Sequence, residues 1–381
     1  MKKLAIVYHY FAHYREPVLR ELCERLSADY EIELLADEQA EIPALKTVAL
    51  AEFCEGLCGF QKLKNIWLGP WLWQSGLLSS VIRNKADVII FLGQFNFLST
   101  WLAVLLARLM GKKTYFWSHG VYGNEGALKR FIRVTFYRLA DGMLLYGNYS
   151  KNLLIKYGMD AERLEVIYNS LDYRQQKQLR DLKSEECVAE VRSRLFGEAN
   201  SDRPYLLFIG RLTAVKRLDL LIRTVAELKK KGCEVNCLIV GEGPEKVGLR
   251  ALAKSEMVSE QICFHGGCHK EEVLSDLIYA AEVCVAPGNV GLSAMHSLVY
   301  GTPVITHGEK CWQMPEFEAI VPGLNGDFFE RNNLEDLVER TEVLLNRSAV
   351  DRALIRVKCY NTIDEKYNPS NQADVISRVI G

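Results

Sequence analysis

Short apolar runs alternate along this chain with longer segments whose apolar residues recur at helical spacing. In the first half the runs Lys3–Tyr8, Tyr30–Ala36, Asp87–Leu92, Lys113–Ser118, Gly142–Tyr146 and Leu164–Tyr168 predict strands. In the second half an apolar run from Tyr205 ends at Gly210, and Glu234–Val240, Gln261–Phe264, Val283–Ala286 and Pro303–Thr306 continue the series. Between them lie helix patterns. One begins near Pro17, since proline suits a first helical turn. Another runs from about Arg217 to Lys231, with Leu218, Leu221, Ile222 and Val225 on one face and Gly232 as its stop. A third covers Leu334 to Asn346, with Asn332 and Glu335 at capping-box spacing. A last helix from about Pro369 is expected to pack back on the first half. Apolar runs without alternation, joined by helices, predict an α/β protein with parallel sheets covered on both faces. Between about Leu171 and Arg203 the pattern is polar and charged, without a convincing strand, and reads as the interdomain linker plus a helix. The expected division is therefore 1–180, a linker at 181–204, 205–362, and a returning helix at 363–381.

A length of 381 residues with 49% hydrophobic content is enough for two cored domains. The formal net charge of −1 argues against nucleic acid as the main partner. It conceals an asymmetry of +5 over residues 1–180 and −6 over 181–381. Between Gly56 and Asn124, seven basic residues face the single acid Asp87, and five of the six tryptophans lie there: Trp67, Trp71, Trp73, Trp101 and Trp117. Such a stretch suits the interface of an anionic membrane, or equally a core that buries its indoles. Leu4–Tyr8 is too short for a secretory signal core, and Phe97–Met110, interrupted by Arg108, is too short to span a bilayer. These features predict a cytoplasmic chain, peripheral on the cytoplasmic face of an inner membrane. The 11 cysteines are odd in number, irregularly spaced and mostly within apolar segments, unlike a disulfide framework. Cys263, His265, Cys268 and His269 are metal-ligand types, but Gly266-Gly267 among them fits a turn better.

The candidate chemistry gathers at predicted strand ends, where open α/β sheets bind ligands. Gly210-Arg211-Leu212 and then Lys216 follow one strand directly, and two fixed cations there suit a diphosphate. Gly241-Glu242-Gly243-Pro244 follows the next strand, and its backbone can come close to a ligand. Phe264 and His265 close another strand, where a planar base could rest. Pro287-Gly288-Asn289-Val290-Gly291-Leu292 then leads into a helix whose N-terminal amides favour an anion. In the first half, Trp117-Ser118-His119-Gly120 ends a strand, and the first strand runs into a loop holding Tyr10, His13, Tyr14 and Arg15.

This ordered set resembles the retaining family 4 glycosyltransferases, strongly over residues 205–345 and more loosely before. Gly210-Arg211-Leu212…Lys216, Val240 to Pro244, Gly301 to Val304, Pro315-Glu316 and Gly323…Gly326 match its motifs. The resemblance implies the GT-B fold, two facing Rossmann-like domains, with the acceptor bound by the first and the nucleotide-sugar donor by the second. It gives Arg211 and Lys216 the donor diphosphate, His119 a place beside the transferred sugar, and the loop from Tyr10 to Arg15 the acceptor. Gly210, Gly241, Gly243, Phe264, His265, Asn289, Val290, Gly291, Leu292 and His296 are the further donor contacts it suggests. The family's paired glutamates fall, counting back from Gly301, on Gly288 and His296, so both carboxylates are missing. His296 reads either as a ribose contact or as an ordinary helix histidine.

The resulting expectation is a retaining, metal-independent glycosyltransferase with no cofactor. It would move a sugar from a nucleotide-diphosphate donor to a glycan acceptor carried on a polyprenyl diphosphate, in cell-surface polysaccharide assembly. Rival readings are another GT-B enzyme such as an epimerase, and a non-catalytic subunit that binds nucleotide sugars.

Overall fold

A computed structural model describes residues 1–39 and 46–381 and divides the chain into two units. The first comprises Met1–Asp172 with Asn368–Gly381, and the second Tyr173–Tyr367.

The first unit holds strands β1 (Lys2–Val7), β2 (Tyr30–Ala36), β3 (Gly59–Lys62), β4 (Lys64–Leu68), β5 (Trp71–Ser75), β6 (Val88–Leu92), β7 (Lys113–Ser118), β8 (Gly142–Leu145) and β9 (Leu164–Val166). Its helices are α1 (Glu16–Leu26), α2 (Leu50–Phe53), α3 (Leu77–Arg83), α4 (Leu98–Leu109), α5 (Ala127–Tyr137) and α6 (Asn148–Lys156). Seven strands form one parallel sheet in the order β3-β2-β1-β6-β7-β8-β9, while β4 and β5 make a separate antiparallel hairpin. All five residues of β6 are buried, which is why that segment reads as an unbroken apolar run.

The second unit begins with helices α7 (Tyr173–Asp181) and α8 (Glu185–Phe196). Its strands are β10 (Tyr205–Ile209), β11 (Asn236–Val240), β12 (Ile262–Gly266), β13 (Val283–Ala286), β14 (Val304–His307) and β15 (Gly326–Phe329). Around them lie α9 (Leu218–Lys230), α10 (Lys246–Ser255), α11 (Glu271–Tyr279), α12 (Leu292–Val299), α13 (Leu334–Leu345) and α14 (Ala349–Glu365). The sheet order is β12-β11-β10-β13-β14-β15, parallel throughout. The chain then returns to the first unit as α15 (Pro369–Ile380).

Segment 181–204 is not a linker. It belongs to the second unit, and the chain passes between units at Asp172/Tyr173 and Tyr367/Asn368. The polar pattern misleads here because charges fasten these helices. Arg180 pairs with Asp364 at 2.9 Å, Gln176 reaches Glu271 at 3.0 Å, and Lys183 and Arg192 pair with Asp276 and Glu282. The cap of α13 is also shifted by one: Asn333, not Asn332, accepts the amide of Asp336.

The returning helix packs as expected. Buried Val375, Ile376 and Ile380 of α15 join the core around α1, each contributing on the order of 1.5–3 kcal/mol. The Tyr30 and Tyr115 hydroxyls donate to the carbonyls of Ile380 and Val379 at 2.9 and 3.0 Å.

Candidate functional site

In the second unit the sheet order reverses between β10 and β13, whose chain connections leave in opposite directions. Their carboxyl ends carry Gly210–Lys216 and Pro287–Gly291, so the two motif loops meet at the topological switch point of the sheet.

The glycines here let backbones touch. A Cβ on Gly241 would lie 1.9 Å from the carbonyl oxygen of Gly210, and one on Gly243 would lie 2.2 Å from that of Leu212. At Gly288 it would meet the Val215 oxygen at 2.0 Å and the Lys216 Cα at 2.6 Å. Backbone bonds lock the contacts: Leu212 N–H to Glu242 O at 2.9 Å, and Gly288 N–H to Lys216 O at 2.9 Å. One of the two positions without a carboxylate is thus a position where no side chain fits. Arg217 holds a left-handed backbone at φ 50°, supported by two guanidinium bonds to Asp219 at 3.0 and 2.9 Å.

Within this frame Lys216 Nζ donates to the carbonyl and the side-chain oxygen of Asn289 at 2.7 and 2.8 Å. Burial lowers its pKa, against the pull of nearby Glu316. Arg211 is exposed, and among the described residues its side chain makes no hydrogen bond or ion pair. The Val290 amide donates to Gln313 Oε1 at 2.8 Å, and Gln313 Nε2 reaches Thr306 Oγ1 and the His307 carbonyl at 2.8 and 2.9 Å. Buried Gln313 therefore fixes the loop, and Val290 has no amide left for a ligand. Gly291 and Leu292 form the N-terminus of α12.

Phe264 and His265 lie at the end of β12, with Arg250 stacked 5.3 Å from the Phe264 ring and His265 exposed. His296 does not join the loop. Its Nε2 lies 2.8 Å from Glu271 Oε1, which also accepts from the Tyr300 hydroxyl at 2.6 Å. Burial works against the charge of Glu271, yet these donors and Gln176 hold its pKa down to about 2. This partnership is the histidine's structural occupation.

In the first unit the order reverses between β1 and β6. Arg15 follows β1, and its guanidinium carbon lies 5.3 Å from the ring centroids of Tyr8, Trp117 and Tyr146 and 5.9 Å from that of Tyr14. His119 leaves β7, and its ring lies tilted at 45° with its centroid 4.7 Å from that of Tyr146. Burial, then the charge of Arg15, lowers its pKa to about 4. Gly120 adopts φ 70°, and a Cβ there would collide with Ser150 Oγ at 2.0 Å. The Tyr10 ring lies tilted at 41° with its centroid 3.9 Å from that of His9, while His13 is exposed, with Nδ1 3.3 Å from the Lys46 carbonyl.

Gly210, Lys216, Gly241, Gly243 and Asn289–Leu292 are thus brought together in one unit. Arg15, Tyr14 and His119 share the aromatic box of the other. Gln313 and Tyr146 were missed. Tyr146 ends an apolar run and was readable as a strand-end residue, whereas nothing in the sequence around Gln313 marks it.

Residues 192–357 match the family Glycosyl transferases group 1, and residues 16–175 match Glycosyltransferase Family 4. Together these account for most of the chain, which belongs to the group 1 glycosyltransferases of the GT-B fold. HepE of Anabaena in complex with UDP superposes with a TM-score of 0.74 at 16% identity, covering 100% of this chain and 99% of that one. The apo lipopolysaccharide outer core galactosyltransferase WaaB gives 0.69 at 15% identity, covering 100% and 99%. Among curated proteins, the gpi3 subunit of phosphatidylinositol N-acetylglucosaminyltransferase from Schizosaccharomyces pombe is 24% identical over 76% of this chain and 64% of its own length. The alpha-D-kanosaminyltransferase of Streptomyces kanamyceticus is 26% identical over 39% of this chain and 37% of its own. The matches thus span between about a third and two thirds of these relatives.

Proposed function

We propose that the protein is a retaining glycosyltransferase that moves a sugar from a nucleotide-diphosphate donor to an acceptor hydroxyl in cell-surface polysaccharide assembly. The observation that carries this reading is the meeting of Lys216 with Asn289 at the switch point. It places a fixed ammonium beside the start of α12, with the open guanidinium of Arg211 on the same loop. In the proposed step the bond from the sugar's anomeric carbon to the diphosphate breaks. The acceptor oxygen bonds that carbon on the same face, and its proton passes to the departing diphosphate. Arg211 and Lys216 offset the charge that builds there. His119, neutral at pH 7, would hydrogen-bond the transferred sugar. Two cations and helix amides already oppose the diphosphate, so transfer should need no metal and survive excess EDTA.

Peripheral membrane binding is supported by a face of the first unit. Leu98, Leu102, Leu105 and Leu109 form an exposed stripe on α4, which packs along β5 of a hairpin exposing Ile66, Leu68 and Trp71. Leu128 and Phe131 of α5 are exposed beside Lys129 and Arg130. Among the described residues no helix is long and apolar enough to cross a membrane. Trp67, Trp73 and Trp101 are half-buried and Trp117 is buried, so leucines rather than indoles supply most of this face.

The test is to incubate the protein with a panel of nucleotide sugars and acceptor extracts, scoring transfer and the product's anomeric configuration by NMR. Transfer with retention supports the reading. Hydrolysis without transfer, or inversion, refutes the corresponding part, and binding without turnover favours the non-catalytic subunit.

A further inference from the structure

Among the described residues Arg15 differs from other enclosed guanidinium groups, which bond carboxylates or, for Arg163 and Arg356, backbone carbonyls. Arg133 pairs with Glu125 at 2.6 Å, Arg180 with Asp364 at 2.9 Å, and Arg192 with Glu282. Among the described residues Arg15 has no carboxylate partner. Its surroundings are the rings of Tyr8, Tyr14, Trp117 and Tyr146, and its one hydrogen bond goes to the Tyr146 hydroxyl. A guanidinium has five donors and keeps its charge at any working pH, so most of its donors are left open. The histidines beside it cannot offset the charge. His9 and His119 are both lowered to about 4, by burial first and by Arg15 second. The neighbourhood also holds buried polar atoms without a partner: Trp117 Nε1, His9 Nδ1 and His119 Nδ1. Trp117 itself is 1% exposed. Enclosed charges without a partner are costly, and unsatisfied buried polar groups are rare. Here they coincide at the carboxyl ends of β1 and β7, one of them flanking the switch point of the sheet.

We propose that this box binds an oxyanion, a phosphate or a carboxylate, carried by the acceptor itself. The acceptor is then a phosphorylated or acidic saccharide, and a neutral glycan would leave Arg15 unpaired. The planar fork suits either group bidentately, and the aromatic rings exclude water from the pair. This rests on reading the first unit as the acceptor half.

The test uses the 381-residue chain with ¹⁵N-labelled indoles, the Trp117 N–H signal being assigned through Trp117→Phe. A Lys216→Ala background weakens phosphate binding at the second unit's loop, and the readout is Trp117 of the first unit alone, so the result does not depend on the donor reading. Sodium phosphate, sodium acetate and methyl glucoside are titrated at constant ionic strength. A saturable shift of the Trp117 signal is expected with phosphate or acetate and not with the neutral glycoside. Saturation by phosphate alone identifies a phosphorylated acceptor, and by acetate alone an acidic sugar. Arg15→Met should weaken the response at least about tenfold, as expected for loss of charged hydrogen bonds. Arg15→Lys, which retains charge without the fork, should fall between. Unchanged Trp312 and Trp101 signals establish that the variants remain folded, and Arg15→Lys alone decides if Arg15→Met does not. No saturable shift with either anion, or equal saturation in the Arg15 variants, overturns the proposal. Nucleoside diphosphate binding measured separately on the Lys216 protein reports on the donor reading alone.

Discussion

Lys216 Nζ is held by two oxygens of one residue, the carbonyl and the side chain of Asn289, at 2.7 and 2.8 Å. Both bonds come from a neutral partner, so the ammonium is fixed in place without being neutralised by it. Asn289→Ala should therefore raise the donor KM roughly tenfold while leaving the fold intact, in line with losing a hydrogen bond to a charged group. Asn289→Asp should be worse than Ala at limiting donor, because its carboxylate competes with the diphosphate. Steady-state kinetics on the two variants checks the order. An Asp variant equal to wild type would show that Lys216 does not meet an anion.

Gly288 carries the second prediction. Restoring the carboxylate at this position should not improve the protein, because the backbone of Val215 and Lys216 occupies the space of a Cβ at 2.0 and 2.6 Å. Both Gly288→Ala and Gly288→Glu should lose about 1–3 kcal/mol of stability, the usual range for overpacking. For a chain of this size that lowers Tm by several degrees. Calorimetry reads the loss, and Gly288→Ala should also weaken nucleotide binding by displacing Lys216.

His119 should titrate far below an ordinary imidazole. Its folded pKa is about 4 against an unfolded value near 6.5, so the fold favours the neutral ring. The associated stability is complete above about pH 6.5 and is lost progressively as pH falls towards 4, amounting to about 3 kcal/mol at the lower end. NMR of the ring protons should give a midpoint near 4 in the wild type, moving up in Arg15→Met as the neighbouring charge goes. A midpoint near 6.5 would contradict the buried, cation-flanked environment.

Most parallel strands were legible because burial on both faces leaves unbroken apolar runs, as in β6 and β13, but the edge strands β3 and β15, with half-exposed residues, were not. The glycine-bearing loops were legible from their spacing. Three further things were not. Helix α7 buries Gln176 and Arg180 rather than an apolar stripe, and its partners Glu271 and Asp364 are distant in sequence, so nothing local assigns residues 173–180 to the second unit. The Glu271 partner of His296 lies on another helix, and nothing local announces it. The crowding at Gly288 comes from a loop some seventy positions earlier, and only the fold brings Val215 there.

The exposed apolar face of the first unit predicts binding to anionic vesicles that weakens with salt. Lysine and arginine near such a surface contribute about 1 kcal/mol each and fade beyond a Debye length. Leu102→Gln with Leu105→Gln should reduce sedimentation with these vesicles, as should Lys62→Glu with Lys64→Glu. If all forms sediment equally, or none does, the leucine stripe of α4 has another partner.

The proposed diphosphate site of a nucleotide-sugar donor is the Lys216–Asn289 junction. Isothermal titration of UDP, GDP, ADP and TDP into the wild type, Arg211→Ala and Lys216→Ala tests this assignment. The wild type should bind at least one of these nucleotides, and each variant should bind it more weakly by about tenfold or more. Equal affinity in all three proteins, or no nucleotide bound by the wild type, would contradict it.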